Sequence, residues 1–327
     1  MLKLTHNRFI KARDYIFVHS NDIDRAWFRY VFEGGDVDTF LHMLAKYQHE
    51  NGGFGGLCYE FDYQGPCLKS TEIAVKYILN LKEKPSGNHP VIQKTMKYIL
   101  ECYVPELGNW HEVVVPEVNN GVHCPWVRYR GEDLTPIENE SDRIKRYDAN
   151  EKVCFAAFVA YYSELVPMAL YLDIVKYPIE YILRYWDENS PDYNRAIFDE
   201  GTPYDFEYFQ WFIPRIKDKN MVSKLTSVLC QNPTAFMELD YTKSEREYVH
   251  LPCDVVSSPD SIVYPAVKEL VDCSLEYRMK QQWDDGRWPL GWSFGADEGL
   301  HKLQVLYEAY RTLDMLVKLK RFGRIEE

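Results

Sequence analysis

Apolar side chains recur every three or four residues along most of this chain, which is the spacing of one face of an α-helix. Such faces occur within residues 40–48, 73–81, 91–99, 174–185, 206–216 and 303–317. The alternation typical of a half-buried strand is rare, and Val113–Val115 is the main candidate. The pattern therefore predicts an all-α protein with about ten to thirteen helices.

We expect residues 1–327 to form a single domain, because no low-complexity linker divides the chain. The charged segment Gly131–Asn150 has apolar helical patterns on both sides and is interpreted as a surface excursion. The longest apolar run, Cys154–Tyr162, is far shorter than the ~20 residues that span a bilayer, and the chain begins without an apolar signal segment. We therefore expect no stable membrane insertion.

The amino-acid composition argues against two classes of partner, nucleic acids and anionic membranes. The 38 Lys and Arg residues against 50 Asp and Glu give a net charge of −12, which argues against general binding of nucleic acid or anionic membranes. The eight cysteines form no Cys-x-x-Cys pair and no tight framework, so we expect free thiols and a cytoplasmic location. The 25 Tyr, 16 Phe and 8 Trp residues suit a deep interior or a cavity lined with rings.

One motif recurs along the chain. Gln48–Phe54 and Gln282–Trp288 both read Gln, three residues, Gly, any residue, aromatic, and Gly108–Trp110 is a looser copy without the Gln. A Gln near a helix end can bond unpaired backbone groups, a Gly permits a left-handed turn, and the ring buries a large area. We interpret the copies as structural staples between stacked helical units.

The motif copies look like the QW repeats of terpenoid cyclases and the repeats of protein prenyltransferase β subunits. The segments YQHENGGFGG, PEVNNGVHCPW, SSPDS, QQWDDGRWPLGWSFG and LKRFGRIE resemble bacterial proteins described only as prenyltransferase or squalene-cyclase repeat proteins. The resemblance runs from about Ala12 to Glu326. It implies a single α/α toroid with alternating inner and outer helices and a central cavity, and it assigns no reaction.

The catalytic signatures of these families are absent from the sequence. Neither Asp22–Arg25 nor Asp36–Thr39 completes the Asp-x-Asp-Asp motif of class II cyclases, and Asp284–Trp288 lacks the third acid of Asp-Asp-x-x-Asp. No Asp-x-Cys zinc pair occurs, and the spacings in His123–Cys124 and His250–Cys253 are not diagnostic of a metal site. The sequence therefore assigns no metal and leaves the cofactor unknown.

On this resemblance, three loops lead into inner helices and would line the cavity: 55–62, 116–126 and 257–261. The candidate catalytic residues in them are Asp62, Glu117, His123 and Asp260, with Asp62 and Asp260 as an acid–base pair across the pocket. The alternative for Asp260 is a helix start at Ser-Ser-Pro-Asp-Ser, and the alternative for Asp62 is a solvated loop carboxylate. The candidate substrate-binding residues are Tyr59, Trp110, Asn119, Asn120 and Trp126.

Three functions follow as alternatives. The first is an enzyme or binding protein for an isoprenoid or other apolar small molecule, acting by cyclase-like or isomerase-like proton transfer. The second is a carbohydrate-active α/α toroid, a glycosidase or lyase, in which two carboxylates face each other in an open groove. The third is a non-catalytic scaffold with a filled centre and an exposed apolar patch. The oligomeric state is not predicted.

Overall fold

The computed structural model describes residues 1–131, 139, 144, 147, 149–193 and 203–326. The α-helices in these ranges are α1 His6–His19, α2 Asp22–Phe32, α3 Val37–Leu44, α4 Leu68–Leu79, α5 Pro90–Glu101, α6 Asn150–Tyr161, α7 Met168–Tyr185, α8 Pro203–Phe212, α9 Lys219–Leu229, α10 Pro252–Val255, α11 Tyr264–Lys280 and α12 Glu298–Arg321. Two short antiparallel strands, β1 Tyr103–Val104 and β2 Asn109–Trp110, form a small hairpin. The prediction of an all-α protein is confirmed.

The predicted strand at Val113–Val115 is wrong, since these residues are irregular. Val114 instead packs in a small apolar cluster with Phe61 and Val118, and the Val113 carbonyl accepts a hydrogen bond from Lys69 at the start of α4. A run of three apolar residues is as consistent with a loop that packs on a core as with a strand, because periodicity cannot separate the two at this length.

Several of the helices have an aspartate as the N-cap residue. Asp36, Asp218 and Asp297 lie at the N-caps of α3, α9 and α12, and each accepts hydrogen bonds from backbone N–H groups of the first turn. These groups have no partner within the helix, and a negative charge is favourable at that end of the helix dipole.

The core is centred on α6, in which every side chain from Glu151 to Ala160 is buried. This helix packs against α4, α7 and α8. Its run of Ala, Val, Phe and Cys residues is apolar on all sides, which is typical of a helix that neighbours surround completely.

The two full copies of the Gln motif have equivalent hydrogen bonds. Gln48 Nε2 donates to the Gly52 carbonyl at 3.0 Å and to the Val91 carbonyl of α5 at 3.2 Å. Gln282 Nε2 donates to the Gly286 carbonyl at 2.7 Å and to the Arg8 carbonyl of α1 at 3.0 Å. Each Gln thus joins its own turn to a neighbouring helix, so the prediction that these residues act as staples is confirmed.

The aromatic residue of each copy is anchored to the helix that follows it. The backbone N–H of Phe54 donates to Thr71 Oγ1 of α4, and that of Trp288 donates to Thr312 Oγ1 of α12, both at 3.1 Å. Both rings are buried. Each motif therefore fixes the position of the next long helix, α4 or α12.

The two chain ends meet. Leu4 forms a parallel bridge with Ile325, and α12 packs against α1 and α2. The buried side chain of Arg324 donates to the Leu2 carbonyl and pairs with Asp272 at 2.6 Å. Together with the bond from Gln282 to α1, these contacts join the last helices to the first.

Within the described ranges, none of the helices has both the length and the apolar character required to cross a lipid bilayer. All eight cysteines are free thiols, and five of them are buried.

Candidate functional site

A cavity of about 780 Å³ lies among α2, α4, α6, α8, α10 and α12. Its lining combines eleven aromatic residues with six carboxylates and five Lys or Arg side chains, and contains only four Ile, Leu or Val residues. The aromatic residues are Trp27, Tyr59, Tyr77, Trp126, Tyr208, Trp211, Tyr248, Trp292, Phe294, Tyr307 and Tyr310. The carboxylates are Glu60, Glu72, Glu151, Glu207, Asp254 and Asp314, and the cations are Lys69, Lys76, Arg311, Lys318 and Arg321. The site is therefore aromatic and charged.

Helices α4 and α12 present the same six positions to the cavity. Counted from the anchoring residues Thr71 and Thr312, lining residues lie at −2, +1, +2, +5, +6 and +9 in both cases, and α12 adds Tyr307 and Arg311 at −5 and −1. The six shared positions hold Lys69, Glu72, Ile73, Lys76, Tyr77 and the C-cap residue Asn80 for α4, and Tyr310, Leu313, Asp314, Val317, Lys318 and Arg321 for α12. The offsets follow the three-to-four-residue spacing of one helix face. The repeated motif thus sets which face of each helix borders the cavity.

We name the two ends of the cavity by the residues that line them: the open end has the exposed Trp126 and Tyr248, and the closed end has the partly buried Asn80 and Arg321. Trp126 and Tyr248 line the open end and are 44% and 51% exposed. They pack edge-on against Phe294 and Trp292, respectively. At the closed end, Arg321 Nη2 donates to Asn80 Oδ1 at 2.8 Å, which joins the last turns of α12 and α4.

Glu72 is the centre of an ion network on the α4 wall. Its side chain is fully buried, with Lys76 Nζ at 2.8 Å and Lys69 Nζ at 3.3 Å. Tyr208 donates a short hydrogen bond to Glu72, and Lys69 also pairs with Glu151. Burial raises the pKa of Glu72, but the two lysines outweigh it and lower the pKa below its usual value. This carboxylate is therefore ionised and held rigidly.

Glu207 and Asp314 differ from Glu72 in their surroundings. Burial raises the pKa of Glu207, and the nearby charge of Asp314 adds to the shift, while Lys318 opposes it. Asp314 pairs with Lys318 at 2.8 Å. The cavity thus holds one carboxyl group whose pKa is raised and one that is paired with a cation.

Asp254 lies between two arginines, with Arg278 at 2.5 Å and Arg311 at 3.7 Å. Burial raises the pKa of Asp254, but Arg278 and Arg311 outweigh it and hold the pKa far below its usual value. Burial lowers the pKa of the neighbouring His250 to about 4, so its imidazole is neutral at pH 7.

Asp24 lies outside the lining and contacts two of its aromatic residues. The hydroxyl groups of Tyr59 and Tyr77 donate to its Oδ1 at 2.6 and 2.7 Å. Burial raises the pKa of Asp24 to about 6, although these hydrogen bonds oppose the shift. The ring of Tyr59 stacks on Tyr310 with 4.6 Å between centroids. Asp24 therefore orients two rings of the lining.

Of the residues predicted from sequence, Tyr59 and Trp126 line the cavity. The Trp126 indole donates to Glu60 Oε1 at 2.7 Å. Trp110 lies outside the lining: it is buried in the core, where its indole donates to the Ile99 carbonyl at 2.8 Å. Trp110 thus acts as a staple.

The other predicted loops lie beside each other but outside the lining. The backbone of Asp62 pairs with Val122, and Phe61 forms a bridge with His123. Asp62 and Glu117 are exposed, and so is Asn120. The exposed Asn119 side chain bonds the backbone of Tyr129 at 2.9 Å in both directions, which is the structural alternative for a loop Asn.

Asp260 is also exposed and outside the lining, in a turn that precedes α11. Its backbone N–H donates to Ser258 Oγ, and α11 begins only at Tyr264, so Ser257–Ser261 is not the helix start. Asp62 and Asp260 are therefore not a pair within this lining. Catalytic roles for Asp62, Glu117, His123 and Asp260 stay predictions.

The charged residues of α4 and α12 that line the cavity were not among the residues predicted from the sequence. Their signal was the three-to-four-residue spacing of charged side chains beside an apolar stripe, as in Lys69, Glu72 and Lys76. On a single helix this pattern is indistinguishable from a solvated outer face.

Among the residues that the structure describes, no group of three or more His, Cys, Asp or Glu side chains is arranged to hold a metal ion. No protein-family model, curated protein or solved structure matches this chain.

Proposed function

We propose that the helices form an α/α toroid around the cavity. Three observations support this arrangement. The two Gln motifs each precede a helix that lines the cavity, α4 and α12 lead from the open end to the closed end, and the last helix packs on the first. This is the architecture that the resemblance to cyclase and prenyltransferase repeats implies.

We propose further that the cavity binds a saccharide. The observation that supports this function is the composition of the lining, in which aromatic rings and ionised side chains far outnumber aliphatic ones. Rings offer flat apolar faces to the C–H surfaces of a sugar, and carboxylates and cations exchange hydrogen bonds with its hydroxyl groups. The exposed Trp126 and Tyr248 at the open end suit the entry of an extended polar ligand. A cavity of this volume argues against a scaffold with a filled centre.

The chemistry we propose is acid–base cleavage of a glycosidic bond. Glu207 is the proton donor, because burial and the charge of Asp314 both favour its protonated form. Asp314 is the partner carboxylate, since its ion pair with Lys318 at 2.8 Å holds it at the cavity wall. Both glycosidase mechanisms require two carboxyl groups, one that donates a proton and one that acts as a base or nucleophile.

The test is a screen of defined oligosaccharides, with products read by mass spectrometry and binding read by thermal shift. The variant Glu207→Gln should lose cleavage by a factor of about a hundred or more and still bind. Glu164→Gln, a substitution of a carboxylate outside the cavity, should leave cleavage unchanged. If no oligosaccharide stabilises or is cleaved by the wild-type protein, the proposed function is wrong.

A second candidate is the binding or cyclisation of an isoprenoid. Eleven rings around one cavity favour it, because aromatic faces stabilise carbocations by ~0.5–2 kcal/mol each. Prenyl diphosphates and polyprenols in the same screen separate the two functions, since a product or a stabilising shift with these compounds alone would favour the isoprenoid.

We also propose a cytoplasmic location and no nucleic-acid partner. All eight cysteines are free, including the exposed Cys273, which suits a reducing compartment. The net charge of −12 disfavours polyanionic partners.

A further inference from the structure

Arg321 lies at the closed end of the cavity, in the last turn of α12. Its Nη2 donates to the neutral amide oxygen of Asn80 at 2.8 Å. Within the described part of the chain, no carboxylate oxygen lies within 4 Å of its guanidinium, although the side chain is only partly accessible. Burial lowers the pKa of Arg321, while the more distant charges of Asp314, Glu207 and Asp260 oppose the shift.

The other cations of the lining have carboxylate partners. Lys76 pairs with Glu72 at 2.8 Å, and Lys318 pairs with Asp314 at 2.8 Å. Lys69 lies between Glu72 and Glu151, and Arg311 lies 3.7 Å from Asp254. A buried cation is normally paired, because removing its charge from water is costly. Arg321 therefore differs from these neighbours in having no carboxylate in direct contact among the described residues, while the charges of Asp314, Glu207 and Asp260 act on it from farther away.

A guanidinium presents five N–H donors in a planar fork that matches carboxylate and phosphate oxygens. Arg321 lines the cavity, as do the rings of Trp27 and Trp211. An anionic group at this point would supply a counter-charge in direct contact with the guanidinium, and the aromatic side chains of the lining would contact the rest of the ligand.

We propose that Arg321 binds an anionic oxygen group of the ligand at the closed end of the cavity. This inference rests on the proposed function and makes its saccharide an acidic one, in which either a carboxylate or a phosphate supplies the anionic oxygens. The ligand enters past Trp126 and Tyr248 with its charged end leading.

The test compares sugars that differ only in charge. Isothermal titration measures the binding of trigalacturonate against galactotriose, and of glucose 6-phosphate against glucose. The wild-type protein should bind at least one acidic sugar about tenfold more tightly than its neutral counterpart, a difference typical of one charge-assisted contact. Whether the uronate or the phosphate is preferred identifies the source of the charge.

Two variants attribute that preference to Arg321. Arg321→Gln removes the cation, and Asn80→Asp leaves the arginine in place but provides it with a protein carboxylate at the existing contact. Both should reduce the preference to less than about twofold, with binding of the neutral sugar unchanged. Arg321→Lys should retain part of the preference, and Arg13→Gln on the surface should retain all of it.

The outcomes are distinguishable. If neutral and acidic sugars bind equally, or if the preference survives in Asn80→Asp and Arg321→Gln, the inference is wrong while the saccharide function stands. If only non-sugar acids such as glutarate bind, and they do so through Arg321, the anion site is correct and the saccharide function is wrong. If none of these compounds binds, both proposals are wrong.

Discussion

Replacement of Gly52 by alanine tests the staple on which the arrangement of α4 depends. Gly52 has a φ of +96°, and a Cβ atom at this position would lie 2.1 Å from the Lys94 carbonyl oxygen of α5. Gly286 in the second motif is equivalent, with φ of +99° and a Cβ position 2.3 Å from the Lys11 carbonyl carbon of α1. In both motifs the glycine allows a turn to contact the backbone of the neighbouring helix.

The expected loss of unfolding free energy has a conformational part and a part due to backbone movement, and a variant of Gly34 separates the two. A left-handed conformation costs an alanine about 1–2 kcal/mol, and Gly34 at φ +74°, with no atom within 4 Å of its Cβ position, should show that cost alone. At Gly52 and Gly286 the backbone must also move, which adds about 1–3 kcal/mol. The movement strains the Gln48 or Gln282 hydrogen bonds, each worth about 1 kcal/mol. We therefore expect losses of about 3–5 kcal/mol for Gly52→Ala and Gly286→Ala.

Urea unfolding followed by circular dichroism measures the free energy of unfolding of the three variants. The comparison is valid where the m-value is unchanged, because the loss then appears as a lower midpoint. Equal losses for Gly34→Ala and Gly52→Ala would refute the close approach of the turn to α5. A tolerated Gly286→Ala with an impaired Gly52→Ala would refute the equivalence of the two motifs.

Other predictions concern the cavity. Glu72→Gln should lower the free energy of unfolding by about 3–5 kcal/mol in urea unfolding, because it leaves the half-buried Lys76 without a carboxylate and Lys69 with Glu151 alone. Glu101→Gln in an exposed pair should change it by less than about 0.5 kcal/mol. The folded-state pKa of Asp24 is raised from 3.8 to about 6, so its stabilising contribution is lost as pH rises through this window. The free energy of unfolding of Asp24→Asn should therefore rise by about 3 kcal/mol relative to that of wild type between pH 4 and pH 7. The folded-state pKa of His250 is lowered from 6.5 to about 4, so its contribution to stability is lost as pH falls through this window. His250→Gln should therefore gain stability relative to wild type as pH is lowered. If the free energies of unfolding of either variant and wild type have the same pH slope in urea unfolding, the assignment for that residue is wrong. Trp126→Ala should weaken ligand binding at least tenfold in titrations without lowering the melting temperature, and a matching loss of stability would show a structural role instead.

The helices could be predicted from the sequence because their apolar spacing is regular. The faces predicted at 91–99 and 303–317 lie within α5 and α12, and the turn glycines could be identified from their place between a Gln and an aromatic residue. The first residue of a helix is harder to predict: α4 begins at Leu68 with Cys67 as its N-cap, before the apolar face predicted at 73–81. A sulfur atom is an uncommon cap, so no sequence rule indicated it.

The candidate site was harder to predict, since loops were expected to line it and helix faces supply most of its charged groups. Loop residues such as Asn119 carry polar groups that their own backbone satisfies, as the paired bonds to Tyr129 show. The charged residues of the lining, such as Glu72 and Asp314, lie in regular helices instead. A hydrophobic pattern cannot say whether the polar face of a helix borders bulk solvent or an internal cavity, because both are polar.

Thr71 and Thr312 indicate which face of α4 and of α12 borders the cavity, which hydrophobic periodicity alone does not. Each accepts a hydrogen bond from the aromatic residue of a motif and donates at 2.8 Å to the carbonyl four residues earlier in its own helix. The rotation of α4 and α12 about their axes is thereby fixed relative to a turn that the sequence identifies. Residues at the same six spacings from Thr71 and Thr312 then line the cavity. The positions of these threonines relative to the motifs therefore determine which side chains of α4 and α12 form the lining. The place of Asn80 in one helix is the place of Arg321 in the other, so the pair that joins the closed end of the cavity is formed by equivalent positions of two repeats. A difference between the residues at these two positions is therefore sufficient to place a cation there without altering the staples that hold the helices.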